Sequence, residues 1–333
     1  MRRYLAVDIA GELRTHGKVR GLVSALGSDR QLKLEYDDAI TRTAAEAFAA
    51  RAGNCLSLTV MTAALARELG LSVSFHRVLA APLWSREDDT LIASGHVNVE
   101  LEPSSITEIP GYRRTSGMLV DFMPGVDLRR QRSLQIEERT VIAMYMNNRA
   151  AESMRAGRFD LDEAYWWARG AVTHDARFLE GINTLGVIYS RHRNVALAER
   201  AFRHVLANEP ENVAALANLA GLLENSGRHT ESVAFAERLR RIEAHPPFHF
   251  FDLGVDALKR QDYASARDHF ESELRRNAYY HAAHYGLALA YFALGEPKLA
   301  REHLAQAQDT STNRSDRGRY AAKLAWLKAQ NPQ

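Results

Sequence analysis

Hydrophobic positions along the chain change rhythm twice. Tyr4, Leu5, Ile9 and Leu13, then Leu22, Val23 and Leu26 up to Gly27, recur at helical spacing and predict packing helices. Leu32, Leu34 and Tyr36 alternate with polar residues, which allows a short extended piece. Thr43 and Glu46 stand three apart ahead of Ala47 and Phe48. That is the spacing of a capping box, so a helix of about two turns is expected to end near Arg51. After the turn at Gly53-Asn54, the run from Cys55 to Leu69 is apolar on nearly every side until Gly70, which reads as a buried central helix. The rhythm then becomes that of strands, over 73–79, 95–101 and 118–122. In the second of these, His96, Asn98 and Glu100 alternate with Val97, Val99 and Leu101, and in the third Leu119 and Asp121 share a face. Pro103, Pro110 and Gly111 mark 102–116 as a loop. Helices followed by strands predict an α+β layer with a small antiparallel sheet over residues 1–124.

The second change falls near Asn147. Leu185-Gly186, Leu219-Ala220, Leu253-Gly254 and Leu287-Ala288 recur every 34 residues, as do Ala198, Ser232, Ala266 and Ala300, each followed four later by Phe202, Ala236, Phe270 or Leu304. Tyr189 and Tyr291 also match. These columns resemble the tetratricopeptide repeat, in which small residues let paired helices approach and large ones fill between repeats. An earlier unit from Asn148 to Val172, with Gly157, Ala164 and Ala168, fits the pattern with about two extra residues in its turn. The expectation is an all-α solenoid of five repeats over 147–310. A capping helix follows over 311–333, carrying Tyr320, Leu324 and Leu327. Residues 125–146 would join the two domains, with 136–146 as a packing helix.

Charge narrows the function classes. The 43 basic and 41 acidic residues among 333 nearly cancel, leaving +2, so there is no one-sign field to suggest nucleic acid. No run of 18 apolar residues predicts a membrane span. Cys55 is the sole cysteine and makes no internal disulfide, so nothing implies an oxidising compartment and a cytoplasmic setting is expected.

That cysteine also opens the candidate chemistry. A thiol nucleophile needs a base, and the base needs a group that orients its ring and stabilises its charge. Cys55, His96 and Asp121 can fill those roles in that order, with the cysteine at a helix start, where free N–H groups favour a thiolate. The Cys55 N–H is the natural first oxyanion donor, and Tyr36 and Asn54 are candidates for the second. Each residue also has a plainer reading: buried packing for Cys55, a satisfied polar group for His96, a turn cap for Asp121. A metal site from Cys55, His76 and His96 lacks any close-spaced ligand pair, so neither a metal nor another cofactor is expected.

Gly53-Asn54-Cys55 before an apolar helix ending Ala66-Arg67-Glu68-Leu69-Gly70-Leu71, then Gly95-His96-Val97-Asn98-Val99, then Leu119-Val120-Asp121-Phe122, resembles the transglutaminase-like superfamily over residues 41–124. The resemblance implies a papain-like cysteine fold, with Cys55 as nucleophile, His96 as base and Asp121 as orienter. Asn98 departs from the pattern, since many members carry an aromatic residue there.

Repeat arrays present a concave groove lined by the first helix of each pair. On the repeat register this groove includes Asn183, Arg191, Phe251, Lys259 and Tyr285, a mixture of amide, basic and aromatic groups that suits a protein or peptide segment. The aromatic set Phe248, Phe250, Phe251, Tyr279, Tyr280 and Tyr285 reads either as a peptide clamp or as packing between repeats. His245, His249, His281 and His284 show no ligand spacing and read as surface or packing residues.

Two functions follow. One is a thiol-dependent enzyme acting on amide bonds through an acyl-enzyme at Cys55, as a peptidase, amidase or acyl transferase, with the repeats binding a partner. The other is a catalytically inactive adaptor in which the repeats alone carry the function.

Overall fold

The computed structural model describes residues 1–28, 31–38, 40–79, 83–87, 90–103, 117–122, 132–154, 160–245, 247–311 and 314–330. Of the expected loop over 102–116, Glu102 and Pro103 instead end a strand and 104–116 lie outside the described residues, as do Asp88-Asp89, Gly157 and the side chain of Trp84. Two compact units are present. One takes in Met1–Glu35, Ile40–Phe122 and Arg130–Ala244, and the main stretch of the other is His245–Gln333.

The first unit begins with a π-helical turn, Tyr4–Asp8, followed by α1 (Ala10–His16) and α2 (Lys18–Gly27), which buries Leu22, Ala25 and Leu26. In the short strand β1 (Glu35–Tyr36), the Glu35 N–H donates to the Arg51 carbonyl at 3.0 Å. The capping box read from Thr43 and Glu46 is present at the start of α3 (Ala44–Ala50), each side chain accepting from the other's backbone N–H. Arg51 leaves that helix at φ 52, and β2 (Ala52–Gly53) leads into α4 (Cys55–Glu68). Ten of its fourteen residues are buried, as the all-round apolar run requires, and Gly70 ends it at φ 70, where a Cβ would be strained.

Next come β3 (Leu71–Val78), a hairpin of β4 (Leu83–Glu87) and β5 (Thr90–Ser94), β6 (Val97–Pro103), β7 (Met118–Val120) and β8 (Ser133–Ile136). The main sheet runs β7–β6–β3–β8 and is antiparallel throughout. Its register sets Phe75 opposite Val99 and Val99 opposite Val120, so one face is aliphatic and aromatic, while His76 opposite Asn98 puts polar groups on the other. Val97, Val99 and Leu101 are fully buried, and α4 packs on β6 and β3. Where the sequence suggests only a connection, β8 completes the sheet.

The helices then pair: α5 (Glu138–Ser153) with α6 (Leu161–His174), α7 (Leu179–Arg191) with α8 (Val195–Asn208), and α9 (Val213–Asn225) with α10 (His229–Ile242). In the second unit α11 (His249–Lys259) pairs with α12 (Tyr263–Arg276), α13 (His281–Ala293) with α14 (Pro297–Asp309), and α15 (Arg314–Gln330) covers α14. The second helices start at Val195, His229, Tyr263 and Pro297, the 34-residue step of the sequence columns.

The packing explains those columns. A Cβ on Gly186 would lie 2.5 Å from the Phe202 ring, and one on Gly254 or Gly286 would lie 2.7 or 2.5 Å from Phe270. Each buried ring therefore occupies the space a glycine leaves, and burying such a ring contributes about 2–3 kcal/mol. Tyr320, Leu324 and Leu327 are buried on the inner side of α15, as a capping helix requires. Among the described residues no helix is long and apolar enough to cross a membrane.

Candidate functional site

The thiol is placed by local chemistry that the sequence spells out. A Cβ on residue 53 would lie 2.7 Å from the Ser57 Cβ, so only glycine lets the chain enter α4 this closely. Asn54 is the N-cap. Its Oδ1 accepts from the Ser57 N–H at 2.9 Å and from the Ser57 hydroxyl at 2.8 Å, while its Nδ2 donates to Thr41 Oγ1 at 2.8 Å. Asn54, a candidate second oxyanion donor, is thus engaged as a structural cap. Cys55 is the first residue of the helix and is buried.

His96 precedes β6, and Asp121 follows β7 on the neighbouring strand. Their side chains meet with His96 Nε2 2.7 Å from both Asp121 carboxylate oxygens, at 5% and 3% exposure. The pairing assigns the Nε2 proton to the aspartate side and leaves Nδ1 as the ring nitrogen that can interact with the thiol. Thiol and ring lie close enough to bias each other's protonation. Burial pushes the Cys55 thiol up, but hydrogen bonding and charge from His96 and the Val97 N–H pull it below its ordinary value. For His96, burial pulls down, and the Asp121 hydrogen bond together with Cys55 pushes the ring up to about 10. Both directions favour a thiolate beside an imidazolium.

Asn98 shares the face of His96, as the strand alternation predicts, and its Nδ2 makes a long 3.5 Å contact with Asp121 Oδ2. On β3, opposite Asn98, His76 Nε2 lies 3.2 Å from Glu100 Oε2. Among the described residues no group of three or more His, Cys, Asp or Glu side chains is placed to hold a metal ion.

The expected groove residues have diverse settings. In the first unit, Asn183 Oδ1 accepts from Asn218 Nδ2 at 3.2 Å, joining α7 to α9, and Arg191 donates to the Met154 carbonyl at 3.3 Å. In the second, Phe251 packs between Phe270 and Tyr280 at centroid distances of 5.8 and 5.0 Å, and Tyr285 stacks on Tyr320 at 4.9 Å with Arg319 over its ring. Lys259 is exposed and pairs with Asp256 at 2.9 Å. The two aromatics therefore serve packing between helices, the second of the two readings open for that set. His281 and His284 are packing residues: His281 Nδ1 lies 3.0 Å from the Tyr320 hydroxyl, and His284 Nδ1 lies 3.1 Å from His303 Nδ1.

A family model of the tetratricopeptide repeat matches residues 183–246 and 251–315. No curated protein matches. Among solved structures, a crystal structure of MamA is 15% identical with a TM-score of 0.29, covering 60% of this chain and 98% of that one. MamA from Desulfovibrio magneticus RS-1 is 15% identical with a TM-score of 0.29, covering 50% and 94%. YrrB, described as a TPR protein with an unusual peptide-binding site, is 17% identical with a TM-score of 0.29, covering 54% and 92%. The chain carries tetratricopeptide repeats, and that assignment rests on the family-model match. The match begins at residue 183, so it does not bear on the transglutaminase-like resemblance of residues 41–124. Repeats of this kind support a protein or peptide as the partner.

Proposed function

We propose that this chain works as an interaction protein whose repeat array holds a protein or peptide segment of a partner. The observation that carries this reading is the tetratricopeptide-repeat match over 183–246 and 251–315, together with helix pairs that repeat every 34 residues. Solenoids of this type expose an extended surface along their first helices, and polar groups such as Asn183, Asn218 and Lys259 are suited to an extended backbone. Capture of partners by the intact chain, by a variant altered at Asn183 and Lys259, and by Cys55→Ala tests it. In an adaptor, the groove matters and the thiol does not.

A second reading is favoured by one specific observation, the buried contact of His96 Nε2 with Asp121 at 2.7 Å beside a cysteine that opens a helix. This is thiol-dependent chemistry on an amide bond. In it Nδ1 of His96 takes the Cys55 proton, Asp121 holds the imidazolium, the thiolate attacks the carbonyl carbon, and the protonated ring returns a proton to the leaving amine. The Cys55 N–H supports the oxyanion. Water completes hydrolysis and an amine completes transfer. Reactivity of the sole thiol as a function of pH tests this reading independently of any partner.

A further inference from the structure

The first helix after the sheet reaches back to Thr41, beside the cap of the thiol helix. Glu152, near the end of α5, is buried, and its Oε1 accepts the Thr41 N–H at 2.6 Å across 111 positions of sequence. Arg149, one turn earlier, lies 3.5 Å from the other carboxylate oxygen and places its guanidinium 5.3 Å from the Trp167 ring centroid. A carboxylate held out of water is costly unless it is paired and hydrogen-bonded, and a short bond from a backbone N–H to a carboxylate is among the stronger ones. Glu152 is thus committed to Thr41.

Thr41 is in turn committed to the start of the thiol helix. Its Oγ1 accepts from Asn54 Nδ2 at 2.8 Å, and the other end of that amide caps Ser57. The next residue closes the loop, since the Arg42 N–H donates to Ser57 Oγ at 2.8 Å. Thr41, Asn54, Ser57 and Glu152 are all buried. We infer that Glu152 is a positioning residue for Cys55: through Thr41 and Asn54 it fixes the cap of α4, and with it the N–H groups and the approach to His96 that favour the thiolate. This inference rests on the thiol reading above. Its consequence is that α5, the helix that begins the paired array, and the cap of the thiol-bearing helix share one hydrogen-bond chain.

A residue that merely satisfies a buried N–H would alter stability but leave the protonation of Cys55 in place. Because Cys55 is the sole cysteine, alkylation of the full chain by iodoacetamide reports on it alone. The charged groups around the network are Arg149 beside Glu152, and His96 and Asp121 beside Cys55. The rate should be followed against pH for the wild type, Glu152→Ala and Glu152→Gln, with peptide-level hydrogen exchange over 53–61 in parallel. Losing the Thr41 anchor is expected to raise the alkylation inflection by roughly half a pH unit or more and to speed exchange of the Ser57 amide. Glu152→Gln keeps an oxygen for the Thr41 N–H and should stay near the wild type. A folded Glu152→Ala chain with unchanged inflection and unchanged exchange overturns the inference. If Glu152→Ala does not fold, Thr41→Val, which removes the acceptor for Asn54, must raise the inflection, and its failure to do so overturns the inference equally. A wild-type inflection near that of an ordinary thiol sinks the thiol reading instead, while faster Ser57 exchange in Glu152→Ala would still support Glu152 as the anchor of the cap.

Discussion

His96 and Asp121 share a contact in which one ring nitrogen lies 2.7 Å from both carboxylate oxygens, almost wholly out of water. Such a contact fixes the ring's tautomer and orientation and lowers the cost of a positive charge on it. The charge arises only if the Cys55 proton crosses to Nδ1. Cys55 is held below its ordinary value and His96 is pushed up to about 10, the directions that crossing requires.

Alkylation of the wild-type thiol is therefore expected to inflect below about 8.5, the value of an unperturbed thiol. Asp121→Asn removes the charge that stabilises the imidazolium, so its inflection should move upward toward that value. Stopped-flow or mass-spectrometric rates with iodoacetamide decide it. A wild-type inflection at about 8.5, unaffected by Asp121→Asn, would contradict the pairing.

Gly186→Ala sets two effects against each other. Alanine favours a helix by about 1 kcal/mol over glycine, whereas overpacking a filled core costs about 1–3 kcal/mol. The added Cβ would lie 2.5 Å from the Phe202 ring, which is buried and has nowhere to move, so overpacking should win. Gly254→Ala meets Phe270 in the same way. Urea unfolding should show each variant less stable by roughly 1–2 kcal/mol, whereas equal or greater stability would mean that the rings are loosely held.

Acid should weaken the last helix pair. His284 Nε2 donates to the Ala278 carbonyl at 3.0 Å, so its Nδ1 is an acceptor, and the proton in the 3.1 Å contact belongs to His303 Nδ1. Burial lowers both histidines; His303 and His281 lower His284 further, while Gln306, Glu302 and Glu271 offset part of the lowering at His303. A lowered folded-state value contributes stability that is present above about 6.5 and lost as pH falls. Thermal unfolding of the wild type is expected to drop by several degrees between pH 7 and pH 5, and that of His303→Gln by less. Equal drops would show that the pair plays no part.

Much of this was legible in the sequence because it is local. The capping box at Thr43 and Glu46, the stop at Gly70 and the 34-residue step are each written within a few residues or one period, and the structure has all three. Strand periodicity likewise brought His96 and Asp121 to neighbouring strands. β8 escaped because Ser133, Leu134 and Gln135 are all exposed, so the strand has no buried face to leave an alternating signature. Glu152 escaped because its partner Thr41 is 111 residues away and a lone glutamate in a helix has no local mark. Phe251 and Tyr285 were readable as groove residues from the repeat register, but that register does not tell an outward ring from one enclosed by Tyr280 or by α15.

The most direct measurement of the proposed role is affinity capture with quantitative mass spectrometry on three full-length chains: wild type, Cys55→Ala, and the double variant Asn183→Ala/Lys259→Glu, each shown by circular dichroism to be folded. The expected result is that Cys55→Ala retains the partners of the wild type at the same level, while the double variant loses them roughly five- to thirtyfold, as removal of about 1–2 kcal/mol of contact energy requires. Partners kept by the double variant, or lost from Cys55→Ala, would contradict recognition through the repeat array.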